Sequence, residues 1–382
     1  MISIKSLNRL FIIFCGITII LFTAGWSVIN SKASNKKSGQ QGEQEKTTDE
    51  VFKNIKVLKG MPASQLLPTM HLFEASLGFD CSNCHVRGHN DSDKKPEKRK
   101  ARKMIEMVNA INKDNFEGKQ IVTCFTCHRG NPDPQTIPGV MTASLMNEQL
   151  EEKKANEVEI KVPDRLNTPE QIISKYEQAI GGKNVFEKIT SIKYEGTIDM
   201  GNNRTSKVSI IQKAPSFYYS SMTFPFGVME RGYNGTVGWV KSPRGVQELK
   251  AGDLQDIQLN ADFYEPIDFL KNFTALKFSD VKLLNGDTVY VVDAGYSDIR
   301  RFRFYFDAYS GLLVRQIQFD KTLLGELQTQ TDYSDYRSVD GVLFPYEMHI
   351  ANYERDEDIK FSNISANTEV DAGIFNMPPK VN

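Results

Sequence analysis

The stretch CSNCH at residues 81–85 returns as CFTCH at 124–128. Each places two cysteines about one helical turn apart, with a histidine directly after the second. Four thiolates in two CxxC pairs suit a structural zinc site, a lone CxxC suits a redox dithiol, and CxxCH suits covalent haem attachment. Context separates the three. The chain between Cys84 and Cys124 is far longer than the usual zinc-ribbon gap of about 15–20 residues, and zinc gives His85 and His128 no task. A thioredoxin-like dithiol opens a helix after a buried strand, whereas only Phe79-Asp80 and Val122-Thr123 stand between a turn and the first cysteine of each unit. Covalent haem uses every residue: Cys81, Cys84, Cys124 and Cys127 as thioether anchors, His85 and His128 as axial ligands of iron. Two covalently bound c-type haems are the expected cofactors.

The compartment agrees. Residues 10–31, LFIIFCGITIILFTAGWSVINS, carry no charge and are long enough to cross roughly 30 Å of hydrocarbon as a helix. Lys5 and Arg9 on the N-terminal side keep that end in the cytoplasm, so the chain that follows faces the periplasm. Residues 1–33 therefore read as a membrane anchor, with cleavage near Ser31-Lys32-Ala33 as the alternative. Of the five cysteines, Cys15 lies inside this run, and the other four all belong to the two CxxCH units. Disulfides among those four would suit an oxidising compartment but would explain neither histidine. A net charge of −1 gives no sign of a nucleic-acid or polyanionic partner.

The sixth iron ligand decides between electron transfer and catalysis, because a methionine closes the iron and an open position admits oxygen or peroxide. Before the first unit, Leu66, Met70, Phe73 and Leu77 share one helical face that Gly78 terminates. Before the second, Met104, Met107, Val108 and Ile111 recur at helical spacing. Met70, and Met104 or Met107, are the candidates, against the ordinary use of such methionines as core filler. His71 is a rival to Met70 but points about 100° away from it on a helix. His89 and His349 read as surface polar residues. Lys94, Lys95, Lys98, Arg99, Lys100, Arg102 and Lys103 form a basic run that is either a solvated helix face or a docking surface for an acidic redox partner.

Residues 34–50, SNKKSGQQGEQEKTTDE, lack large apolar side chains and read as a tether. Residues 51–140 hold both CxxCH units in helical text, and 141–165 form a charged linker. Over 166–382, Thr168-Pro169-Glu170-Gln171 opens a helix that Gly181-Gly182 closes, and Ile172, Ile173, Tyr176, Ala179 and Ile180 face its core side. Eleven strand-like segments follow, separated by turns at Asn234-Gly235, Asn285-Gly286, Ser310-Gly311 and Asp340-Gly341, with one helical stretch near Tyr264–Asn272. They predict a large antiparallel sheet that curves or closes to manage its edges.

The motifs LLPTM followed by LGFDCSNCH, and ARKMIEMVNAIN followed by VTCFTCHRGNPDP, resemble the cytochrome subunit of photosynthetic reaction centres over about residues 51–140. That resemblance implies a helix with an axial methionine before each CxxCH, so that Met70 serves the haem on His85, Met104 serves the haem on His128, and Met107 falls to the core. Members of that family carry four haems; this chain has two CxxCH units, and the stretch between Asn115 and Val122 lacks the histidine that ligates the fourth. Residues 166–382, with AIGG, KITSIKYEGTIDM and VDGVLFPYEM, are similar to the half-barrel of outer-membrane lipoprotein carriers, which implies a concave apolar face and a lipid as candidate ligand. The expected fold is multidomain: an N-terminal membrane helix, a mostly α dihaem cytochrome c domain, and a C-terminal antiparallel β half-barrel with a helix. The expected function is a membrane-tethered periplasmic dihaem cytochrome that relays single electrons, and so no enzyme. Its partner would be a redox protein or a membrane electron-transfer complex. The alternatives are a dihaem peroxidase-like enzyme and a haem-linked lipid-binding or scaffold protein.

Overall fold

A computed structural model describes residues 45–134, 162, 166–201, 205–224, 227–353 and 355–379. The apolar segment 10–31, the tether as far as residue 44 and the linker at 141–161 and 163–165 lie outside the described residues. No helix among the described residues is long and apolar enough to cross a membrane.

The helical half comprises α1 (Thr48–Val51), α2 (Leu66–Leu77), α3 (Cys81–Cys84), α4 (Pro96–Asn115) and α5 (Cys124–His128). Its fold takes up residues that composition assigns to the tether: the buried Thr48 hydroxyl donates to the Leu58 carbonyl, and Thr47 bridges Pro62. Helix α4 starts on Pro96, whose missing N–H is an orphan at that position anyway, and it buries Ile105, Val108 and Asn112 on one face. Helix α2 stops at Gly78, at φ +64. A Cβ there would lie 2.4 Å from the Gly130 carbonyl oxygen, and the Gly130 N–H donates to the Ser76 carbonyl at 2.9 Å. The end of the first helix is thus pinned to the turn that follows the second CxxCH.

Helices α6 (Pro169–Ala179) and α7 (Lys183–Phe186) lead into the sheet. The Thr168 hydroxyl accepts from the Gln171 N–H, whereas Gln171 reaches back to the Asn167 N–H, so the capping motif closes one residue earlier than the sequence pattern implies. Ile172, Ile173, Tyr176 and Ile180 are buried as the spacing predicts.

The sheet has thirteen strands among the described residues: β1 Ser191–Asp199, β2 Thr205–Lys213, β3 Phe217–Phe224, β4 Gly227–Tyr233, β5 Gly238–Ser242, β6 Gly245–Glu248, β7 Thr274–Leu284, β8 Asp287–Ser297, β9 Arg300–Asp307, β10 Leu313–Thr322, β11 Gly325–Val339, β12 Val342–Ala351 and β13 Asp356–Ala366. The order β6-β5-β4-β3-β2-β1-β13-β12-β11-β10-β9-β8-β7 joins two antiparallel meanders through β1 and β13. Edges remain at β6 and β7, so the sheet is open. Each of the eleven segments read as strands forms one. The remaining two are β4, which carries adjacent opposite charges, and β6, which has 4 residues. Glu230 and Arg231 hide β4, yet Glu230 is held by Lys241 of β5 at 2.6 Å and by the Tyr219 hydroxyl of β3 at 2.7 Å. A helix α8 (Ala251–Ala261) was also missed; near Tyr264–Asn272 the chain forms a 3₁₀ turn and the short α9 (Phe269–Asn272).

Alternation in β9 shows how the core is built: Phe302, Phe304 and Phe306 are fully buried on one face, and Arg301, Arg303 and Tyr305 alternate with them on the other. The phenylalanines pack with Phe269 and Phe273 under α6. The helical half has a much thinner core, Leu58, Met61, Leu72 and Ile105, and the fifth buried member is Leu324 from the tip of the β10–β11 hairpin. Gly325, at φ +154, lets that tip approach: a Cβ there would meet Leu72 Cδ2 and Thr123 Cγ2 at 3.3 Å each. Leu324→Ala is therefore expected to lower the unfolding free energy by about 2–5 kcal/mol, measured by urea denaturation. It should also speed protease cleavage within 45–134 more than within the sheet, and equal acceleration in both would deny the hairpin its closing role.

Candidate functional site

Both CxxCH units form single helical turns, each entered through a polar N-cap. The Asp80 carboxylate accepts from the Ser82 N–H, and the Asn83 side chain accepts from the Asp80 N–H, so the first turn is capped from both sides. At the second, the Thr126 hydroxyl accepts from the Thr123 N–H. Arg129 then takes the left-handed conformation that ends α5.

The histidines repeat one arrangement. His85 Nδ1 lies 2.9 Å from the Asn90 carbonyl oxygen, and His128 Nδ1 lies 3.0 Å from the Asn131 carbonyl oxygen. A carbonyl only accepts, so each Nδ1 is the donor, and Nε2 is the ring nitrogen left to meet a metal. Backbone anchoring of the far ring nitrogen is how proteins orient an axial histidine.

The cysteines are not built as reactive thiolates. A hydrogen bond to Glu74, followed by burial, raises the Cys81 thiol pKa, and burial raises those of Cys84 and Cys124. A redox dithiol needs the opposite shift. Among the described residues no three His, Cys, Asp or Glu side chains gather where they could hold a metal ion, so the two CxxC pairs do not assemble one tetrahedral site.

Helix α2 packs on α5, and α4 packs on both α3 and α5, which interlocks the two units. Met70 is half-buried beside Leu58, Met61 and Leu72. Met104 is 41% exposed and Met107 is 43% exposed. The expectation that Met107 belongs to the core is thereby corrected: Ile105 and Val108 take the buried face, and Met107 shares the outward face with Met104. Phe125, Ile121 and Leu67 are also exposed. Large apolar side chains left open on the elements that carry CxxCH fit a flat apolar group covering them. With the free Nε2 atoms, this is the donor set and surface that a covalent porphyrin requires. His71 Nδ1 faces Glu74 at 2.9 Å, and its ring packs at 5.3 Å from Tyr353. His349 faces Asp356 and Asp358 on the sheet.

Asn112, which the sequence reading passed over, places the second unit. It is 6% exposed. Its Oδ1 accepts from the Ile121 and Val122 N–H groups at 3.2 and 2.9 Å, and its Nδ2 donates to the Val122 carbonyl at 2.7 Å. The only signal in the sequence is a polar residue on the apolar face of α4.

The basic run is largely consumed locally. Lys95 donates to the Ser82 carbonyl, Arg99 to the Asp93 carbonyl, and Arg102 to Asp93 and to the Asn54 carbonyl. Arg102 and Lys56 hold the Asp93 carboxyl far below the usual carboxylate range. Lys94, Lys100 and Lys103 stay exposed.

On the sheet, a cavity of about 310 Å³ is lined by apolar and aromatic side chains including Ile192, Tyr194, Phe344 and Phe361, with Glu265 among them. Burial, aided by the Asp262 carboxylate, pushes the Glu265 carboxyl up to about 7.

The residues of the helical half fit covalent attachment of a porphyrin at each CxxCH unit. The family model described as the photosynthetic reaction centre cytochrome C subunit matches residues 25–181, reaching into α6. The photosynthetic reaction center cytochrome c subunit of Thermochromatium tepidum is 39% identical over 98 residues, 24% of each chain. That of Rubrivivax gelatinosus is 33% identical over 93 residues, covering 23% of this chain and 25% of its own. Cytochrome c-554 of Chloroflexus aurantiacus is 33% identical over 87 residues, 21% of each. This chain therefore spans about a quarter of the length of these relatives. The N-terminal part resembles that cytochrome family, and the resemblance implies covalently bound c-type haem. Among solved structures, a LolA superfamily protein from Nitrosomonas europaea and a DUF1329 family protein from Desulfovibrio piger each align with 55% of this chain and 98% of their own. They do so at 11% and 12% identity, both with a TM-score of 0.40.

Two outcomes follow. Asn112→Ala strands buried backbone groups and is expected to cost about 1–3 kcal/mol, visible as a lower urea midpoint with an unchanged slope. Glu265 has its pKa raised in the fold, so the stability it supplies is complete below the ordinary value of 4.5 and is lost as pH rises through about 7. Thermal midpoints should fall over that window, and Glu265→Gln should flatten the fall; an unchanged slope in the variant would place the titration elsewhere.

Proposed function

We propose that this protein is a dihaem c-type cytochrome that relays single electrons on the periplasmic face of a membrane, tethered through residues 10–31. The observation that carries this reading is the repeated geometry of His85 and His128, each fixed through Nδ1 to a backbone carbonyl with Nε2 left to coordinate. Bound haem supplies a one-electron iron couple. Cys81 and Cys84 anchor the first group and Cys124 and Cys127 the second, while His85 and His128 present Nε2 from rigid, capped turns. Met70 and Met104, on the preceding helices, would complete the ligand sets, which would leave no position for a substrate and would raise the potential. Electron relay then requires no proton movement by the chain, only that the ligands hold still. The relatives' names, reaction centre cytochrome subunit and cytochrome c-554, support an electron carrier over an enzyme. The partner is a redox protein or a membrane electron-transfer complex, met in part through the exposed Lys94, Lys100 and Lys103.

A second reading concerns the sheet. Its apolar cavity favours a lipid or another apolar ligand, which would make the sheet a carrier or scaffold attached to the haem half.

Intact mass of the exported protein should equal the chain plus two porphyrins. The reduced, native protein should not bind carbon monoxide. Met104→Ala should admit carbon monoxide at one haem and lower the potential there, whereas Met107→Ala should do neither. Avid binding by the unsubstituted protein would favour the peroxidase-like alternative, and the reverse pattern between the two variants would move the axial role to Met107.

A further inference from the structure

The carbonyl that orients His85 has a second donor. Asn90 O accepts from His85 Nδ1 at 2.9 Å and from Lys98 Nζ at 2.7 Å. Lys98 also donates to the Ser92 carbonyl at 3.2 Å, and its side chain is only 12% exposed, so the ammonium is held in place and poorly screened by water. The Asp93 carboxylate lies 3.6 Å away but is shared with Lys56 and Arg102, each at 2.9 Å, so it offsets the Lys98 charge only in part. The second unit is built differently. His128 Nδ1 donates to Asn131 O, and among the described residues no ammonium or guanidinium donates to that oxygen.

We infer that Lys98 is a positioning residue that sets the reduction potential of the haem on His85 above that of the haem on His128. A carbonyl oxygen has two lone pairs and serves both donors, but an ammonium on one lone pair draws electron density away and weakens the acceptor offered to the imidazole. His85 then carries less imidazolate character and donates less to the metal. The fixed charge also opposes the added positive charge of the oxidised state. Both effects favour reduction at the first site, and second-shell partners of a ligand are a recognised control on such couples. The two sites, alike in sequence, thereby become an ordered pair with a downhill direction for an electron, from the second unit to the first.

The inference rests on the proposed ligation by His85, and the test separates the two. Full-length holoprotein is titrated by spectroelectrochemistry, with haem content checked by mass, for the native chain, Lys98→Gln and Lys98→Arg. Glutamine keeps a donor for the Asn90 and Ser92 carbonyls without the charge, and arginine keeps the charge. Lys98→Gln should lower one midpoint by about tenfold in the reduction equilibrium, which is 59 mV for a one-electron couple, and leave the other in place. Lys98→Arg should stay near the native value. In the Met104→Ala background, where carbon monoxide marks the second haem, the shift should fall on the unmarked one. Unchanged midpoints, equal shifts in both, or the same shift in both Lys98 variants would overturn the inference while haem ligation stands. Loss of porphyrin in Lys98→Gln alone would assign Lys98 to folding instead, and a native chain without porphyrin would remove both readings.

Discussion

The helical half cannot close its own core, and the Leu324 contact is the constraint from which the rest of its arrangement follows. Four clustered buried apolar residues, Leu72 among them, are too few to order a chain segment whose backbone loses about 1–2 kcal/mol of conformational freedom per residue. The β10–β11 hairpin supplies a fifth and brings Gly325 against Leu72 and Thr123, directly before Cys124. The large sheet, with its aromatic core around Phe302, Phe304 and Phe306, can hold such a tip rigidly. It acts on the second CxxCH from one side while Asn112 holds it from the other.

Local signals were legible in the sequence, and signals that depend on a partner were not. CxxCH is contiguous, so the motif can be recognised without a fold. The turns at Asn285-Gly286 and Asp340-Gly341 were equally readable, because both residues of each pair adopt positive φ and only a few residue types do so cheaply. Strand β4 was missed because its charges look like loop until Lys241 and Tyr219 are seen to neutralise and cap Glu230. Helix α8 was missed for a related reason: AGDLQDIQLNA has a weak periodic pattern, and its burial of Ile257 and Ala261 is decided by β3, β4 and β5. Met107 was misplaced because its core assignment came from the resemblance alone, whereas the helix buries Ile105, Val108 and Asn112.

The basic run shows why charge counts are poor guides to partners. Seven cations between Lys94 and Lys103 suggest an electrostatic docking face in sequence. In the fold, Lys95, Lys98, Arg99 and Arg102 are spent on carbonyls and on Asp93, and together they stitch the loop after CSNCH to α4. A long-range attraction needs charge that is exposed and unneutralised, and the run retains this at Lys94, Lys100 and Lys103 only in part.

That local use of charge also gives two pentapeptides with the same C-x-x-C-H pattern different surroundings. CSNCH and CFTCH place their histidines alike, through a backbone carbonyl a few residues downstream. What differs is the second layer: the first carbonyl belongs to a loop drawn onto α4 by cations, and the second to a turn locked by Gly130 against Ser76. Attachment chemistry therefore resides in the motif, while the energetics of each site reside in residues remote from it in sequence. Two sites of one motif with identical surroundings would have no reason to differ, so any difference between them must come from that second layer.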